Sequence, residues 1–159
     1  MIRDNKLIQD IICRGIRRRQ AGGVEMAQIV FFKPTKQFIA WAKGCGLDII
    51  DCGAGIGEWL DDVDNAFGID YNYREGQSKK VLSMEASLFP FEENHAALLT
   101  RPCHGDWVDD TLYMALIRGA RAFYAGKHSN VEMDLEGFNK ELVLENAGED
   151  GESLWEVKL

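Results

Sequence analysis

The sequence predicts an α/β fold: a doubly wound, mostly parallel seven-stranded sheet with an antiparallel hairpin at its C-terminal end. Three observations predict it. From residue 47 onward, short apolar runs end in Gly or Asp, the pattern of strands buried on both faces. These runs alternate with segments of helical period, which implies parallel strands joined by crossovers. The last two runs, 141–145 and 154–159, flank a Gly-, Asp- and Glu-rich turn and therefore form a hairpin.

Taken in order, Leu7, Ile8, Ile11, Ile12 and Ile16 recur at three-to-four spacing and predict an amphipathic helix that Gly22 and Gly23 stop. Residues 24–32 are apolar without a clear period. Pro34 and Thr35 open a second short helix carrying Phe38, Ile39, Trp41 and Ala42, and Gly44 and Gly46 end it. Strands are expected at 47–52, 66–70, 81–84, 96–100 and 121–125, ahead of the two hairpin strands. A helix is expected from about Gly55 to just before Ala66. The polar stretch 72–80, with Gly76 inside it, predicts a loop or a single turn where a crossover helix would otherwise stand. Asp109 and Asp110 open a helix that runs to Gly119, their charges facing the positive end of its dipole.

No repeat and no low-complexity linker divides the chain. Its 159 residues, 46% hydrophobic, suit one core, so residues 1–159 are expected to form a single domain, with N-terminal helices over 1–46 and the α/β core over 47–159. Cysteines 13, 45, 52 and 103 form no CxxC pair and no His-spaced cluster, so no metal site is expected and the thiols read as reduced, in a cytoplasmic protein. No apolar run spans a bilayer, and Arg3, Asp4, Asn5 and Lys6 stand where a signal peptide would be apolar. A net charge of −8 disfavours extended nucleic-acid binding, which needs clustered cations. Arg14, Arg17, Arg18 and Arg19 make one local basic patch, read first as a helix C-terminus. Nine acidic residues between Glu132 and Glu156 face only Lys140 in opposition, an end that repels phosphate.

The informative segment is Asp51-Cys52-Gly53-Ala54-Gly55-Ile56-Gly57, where three glycines follow an apolar strand. A backbone turning out of a strand needs positive φ, and a ligand lying against that backbone needs positions without Cβ. The next strand ends in Asp70, nineteen positions after Asp51, where a carboxylate can accept hydrogen bonds from both hydroxyls of a ribose. A dinucleotide-binding turn would place its third glycine where this chain has Glu58, and a carboxylate beside a pyrophosphate is repelled. The spacing to Gly57 suits a cofactor without phosphate, which sets a nicotinamide or flavin oxidoreductase behind the other readings.

On these residues the chain resembles the class I S-adenosylmethionine-dependent methyltransferases, whose first motif is an acid followed by Gly-x-Gly-x-Gly. The resemblance implies a Rossmann-like sheet of order 3-2-1-4-5-7-6, with S-adenosylmethionine as cofactor. It assigns cofactor binding to Asp51, Gly53, Gly55, Gly57 and Asp70, to Tyr71 against the adenine edge, and to Glu85 at the third-strand end near the adenine amino group. Arg101 and Pro102, after the fourth strand, complete that set. The chain departs from the pattern in a shortened crossover before the third strand, in lacking an appended substrate domain, and in its fourth-strand motif.

That motif is Arg101-Pro102-Cys103-His104-Gly105-Asp106-Trp107. Pro102-Cys103 is similar to the dipeptide of cytosine-5 methyltransferases, which implies Cys103 as a nucleophile, with His104 beside it to favour the thiolate. Those enzymes need a Glu on the next strand, and residues 121–125 supply none; Glu145-Asn146-Ala147 falls one strand too late. The competing reading makes Cys103 a small apolar filler beside a stiff proline. Two functions stay open at this stage: a methyltransferase with its acceptor at residues 101–107, or a cofactor-binding pseudoenzyme or interaction module on the same fold.

Overall fold

The computed structural model describes residues 31–159, so the first expected helix, the arginine patch and most of the stretch 24–32 lie outside the described residues. Helix α1, Lys36–Gly44, begins at Thr35, whose hydroxyl accepts a long 3.4 Å bond from the Phe38 N–H and donates to the Asn146 carbonyl at 2.7 Å. One threonine thus starts the helix and ties it to the distant hairpin turn. Phe38 and Ala42 fall on the same face one turn apart, and both are fully buried. Burying a phenylalanine of this kind contributes about 1.5–3 kcal/mol.

The sheet consists of β1 (Asp48–Cys52), β2 (Ala66–Asp70), β3 (Val81–Ser83), β4 (His95–Thr100), β5 (Arg121–Gly126), β6 (Asn139–Leu144) and β7 (Ser153–Lys158). Their order is β3-β2-β1-β4-β5-β7-β6, with every pair parallel except those made by β7. The central strands are apolar on both faces because both faces are covered. Ile49, Ala96, Leu98 and Phe123 face α1 and Leu60; Ile50, Ala97, Leu99 and Tyr124 face the opposite core, with Val108 and Leu112. That second core is supplied by α2 (Asp106–Ile117) and α3 (His128–Asp134). No described helix is long and apolar enough to cross a membrane.

Several expected elements are corrected. The helix expected from Gly55 is only a 3-10 helix, Glu58–Asp62, so the β1-to-β2 crossover is far shorter than a doubly wound sheet usually carries. Asp61, Asp62, Asp64 and Asn65 follow Leu60, and such side chains compete with the backbone for hydrogen bonds and end helices early. Helix α2 starts at Asp106, three residues before the expected start, and α3 was not expected at all. His95 accepts the Glu92 N–H at 2.9 Å through Nδ1 and thereby closes the turn before β4.

The short crossover leaves β2 pressed against the 3-10 helix. A Cβ at Gly68 would lie 2.7 Å from both the Ala54 Cβ, which is fixed to its backbone, and the Cδ1 of the fully buried Leu60. Gly68→Ala should therefore lower the unfolding free energy by about 1–3 kcal/mol, read as a fall in the urea midpoint at unchanged m-value.

Candidate functional site

Strand β1 delivers Asp51 to the carboxyl edge of the sheet, and the chain then turns at Gly53, Gly55 and Gly57, with φ of 79°, 63° and 65°. All three sit in the left-handed region that side chains resist. The turn spends its own donors: the Gly53 and Ala54 N–H groups bond the Ile69 carbonyl at 2.8 and 3.0 Å, Gly55 N–H bonds Asp70 Oδ2 at 2.8 Å, and Gly57 N–H bonds the Ala54 carbonyl at 3.1 Å. Four amides that would cradle a phosphate are occupied. The expectation that missing Cβ atoms make room for a ligand is corrected in part. A Cβ at Gly55 would overlap the Phe31 ring, one at Gly53 would meet Trp107 at 3.1 Å, and one at Gly57 would meet Leu60 and Val81 at 2.8 Å. Each glycine is required first by protein packing.

Two carboxylates flank the turn. Asp51 is 1% exposed and accepts from Thr100 Oγ1 and Trp59 Nε1, each at 3.2 Å. Burial pushes its pKa up to about 7, against the two hydrogen bonds that favour ionisation, and the neighbouring Asp70 charge adds to the rise. Asp70, 5% exposed, also accepts the Asn72 N–H on Oδ1 at 2.9 Å. Each of its oxygens thus holds one backbone bond and keeps a second lone pair.

Asp51, the three glycines and Asp70 line one cavity of about 710 Å³, together with Arg101, Pro102 and Cys103 from the loop after β4. A cleft of that volume accommodates a small-molecule ligand. Its walls carry five carboxylates (Asp51, Glu58, Asp62, Asp70, Glu149) against three cations (Lys33, Arg74, Arg101). Tyr71 and Glu85 are not part of this wall; they line an adjacent depression with Ser83, Met84 and Leu88.

Beyond β4, Arg101 adopts φ of 45° and holds Asp150 at 2.9 Å and the fully buried Glu152 at 3.8 Å, which ties the loop to the hairpin turn. Trp107 Nε1 donates to the Cys103 carbonyl at 3.0 Å and so fixes the same loop to α2. His104 lies outside the cavity wall, with Nδ1 2.5 Å from Asp134 on α3. Asp134 also accepts the Tyr124 hydroxyl, whose pKa is raised by burial and by that bond. His104 is thus held through Nδ1 by a carboxylate on α3, a contact that the sequence does not mark. Strand β5 has no Glu over Arg121–Gly126, and the segment 145–147 lies at the hairpin. Among the described residues, no group of three or more His, Cys, Asp or Glu is placed to hold a metal ion.

Reading the sequence missed Phe31, Trp59, Arg74 and Thr100, and it placed Trp107 only at the end of the acceptor loop, not against the glycine turn. Nothing in their spacing marks them, because each arrives from a separate element and meets the turn only in the folded chain.

The strand order, the Gly-rich turn after β1 and the acid ending β2 are together the fold of the class I S-adenosylmethionine-dependent methyltransferases. No family model and no curated protein matches the chain. Among solved structures it is similar to the 23S rRNA methyltransferase ErmE, at 13% identity and a TM-score of 0.52 over 81% of this chain and 69% of that one. It is also similar to a SAM-dependent methyltransferase from Aquifex aeolicus, at 16% identity and a TM-score of 0.48 over 80% and 88% of the two chains.

The raised pKa of Asp51 gives stability a pH dependence. Its native carboxyl holds a proton that the unfolded chain has already lost between pH about 4 and about 7, so this group's contribution falls as pH rises through that window. Urea denaturation of the wild type and of Asp51→Asn across the window should show the variant gaining stability relative to wild type as pH increases. A constant difference would mean that Asp51 titrates as an ordinary carboxyl.

Proposed function

We propose that the chain is an S-adenosylmethionine-dependent methyltransferase, built as a single domain, with the cavity at Asp51, Asp70 and the glycine turn as its cofactor site. The observation that carries this reading is the pair of carboxylates at a turn where the N–H groups of Gly53, Ala54, Gly55 and Gly57 are already bonded within the chain. Such a site offers acceptors and no phosphate cradle. It therefore favours a ligand with hydroxyl and cationic groups over a dinucleotide. The acidic wall suits a sulfonium and an ammonium, and the spare lone pairs on Asp70 suit two ribose hydroxyls.

When bound, the cofactor supplies an activated methyl group. The chain's part is to bind and orient. Asp70 would hold the ribose, Asp51 would face the cationic end, and the loop Arg101–Trp107 would present the acceptor, so that rate comes from proximity and alignment. Tyr71 and Glu85 would take the adenine only if it extends past Asp70 into the neighbouring depression. Cys103 lines the cavity, and since β5 has no Glu to pair with it this reading assigns the thiol no nucleophilic step. The acidic residues of 132–156 support an acceptor that is not an extended nucleic acid.

Two measurements test the reading. Adenosylhomocysteine should raise the melting temperature, since a ligand at a hundred times its Kd adds about 2.7 kcal/mol to the native state; NADH should leave it unchanged, and the opposite pattern would sink the proposal. By calorimetry, Asp70→Ala should cost about 1.5–3 kcal/mol of binding, the range for hydrogen bonds to a charged group, and unchanged affinity would place the adenosine elsewhere.

A further inference from the structure

The corner of the cavity where a ribose would meet Asp70 is covered by the protein itself. The Phe31 ring lies against Gly55, in the volume that a Cβ there would enter. The Arg74 guanidinium carbon sits 5.4 Å from the centre of that ring, and Arg74 Nε is 4.0 Å from Asp70 Oδ2. Under this cover Asp70 is only 5% exposed, although it lines the cavity. Two new hydrogen bonds to its carboxylate need more room than that.

The cover is held weakly. Arg74 Nε is buried without a hydrogen-bond partner, a cost that the cation–π contact and the distant carboxylate repay only in part. The chain after the ring is fixed. Directly after Phe31, the Lys33 carbonyl accepts the Glu149 N–H at 2.8 Å, Pro34 pairs with Gly148, and Thr35 N–H bonds the Ala147 carbonyl at 2.9 Å. The backbone is pinned to the hairpin turn, and Phe32 is buried beneath it. The Phe31 ring and the Arg74 side chain are the parts of the cover that can turn without breaking those bonds.

We infer that Phe31 and Arg74 form a latch over the Gly55–Asp70 corner, and that a ligand carrying a ribose binds by displacing the Phe31 ring from Gly55 and Arg74 from Asp70. The inference rests on the proposed cofactor site and adds its regulation: affinity is lowered by the fraction of chains in which the latch is closed. Whatever moves the Phe31 ring off Gly55 would then tune cofactor affinity without touching Asp51 or Asp70.

The test is calorimetry with adenosylhomocysteine on the wild type, Phe31→Ala and Arg74→Gln, with stopped-flow tryptophan fluorescence for association. Phe31→Ala should bind at least about threefold tighter and associate faster, with Arg74→Gln shifted the same way. Weaker binding by Phe31→Ala would make the ring a stacking partner of the ligand and overturn the latch. Equal affinities would also overturn it. If the wild type and both variants fail to bind while remaining folded, the proposed function falls, and the latch with it. Phe31→Leu, which keeps an apolar side chain but loses the ring, serves if the alanine variant does not fold, and the same gain is expected from it.

Discussion

The hydrogen bond from the Gly55 N–H to the Asp70 carboxylate joins the two halves of the candidate site. It spans the loop after β1 and the end of β2, and it fixes the turn in the left-handed conformation that only glycine adopts easily. Because Asp70 is nearly buried, a donor is needed there for the fold as well as for any ligand. The same carboxylate therefore shapes the turn and faces the cavity. Asp51 plays the matching part on β1, held by Thr100 from β4 and Trp59 from the 3-10 helix. Three parallel strands and one short crossover converge on two acids, and the cavity lies where they converge.

The sheet was legible in the sequence because parallel strands buried on both faces leave apolar runs that need no tertiary knowledge to recognise. Ala66–Asp70 was read at its observed bounds, and most of the other strands differ by a residue or two at an end. The hairpin was equally clear from the turn residues around Gly148 and Gly151. Helix α3 was not. It is seven residues long, its N-cap Lys127 makes no side-chain cap bond, and within it only Val131 is buried. It is held by tertiary contacts: Val131 and Leu135 enter the core, and Asp134 takes the Tyr124 hydroxyl.

The candidate site was legible in its acids and glycines and hidden in its aromatic rings. Motif spacing locates residues that share one strand-turn unit, such as Asp51 to Gly57, or that end the adjacent strand, such as Asp70. It says nothing about Phe31, and it gives Trp107 only as the end of the loop after β4; both pack on the turn from positions far apart in the chain. The glycines consequently have two explanations where the sequence suggests one. They clear space for protein side chains, and the ligand reading depends on the carboxylates and the cavity more than on the glycines themselves.

The decisive measurement is a crystal structure of the protein with adenosylhomocysteine bound. Both ribose hydroxyls are expected within hydrogen-bonding distance of the Asp70 carboxylate, with the amino-acid end of the ligand on the Asp51 side of the glycine turn. A ligand bound elsewhere, or bound in the cavity with its ribose away from Asp70, would contradict this expectation.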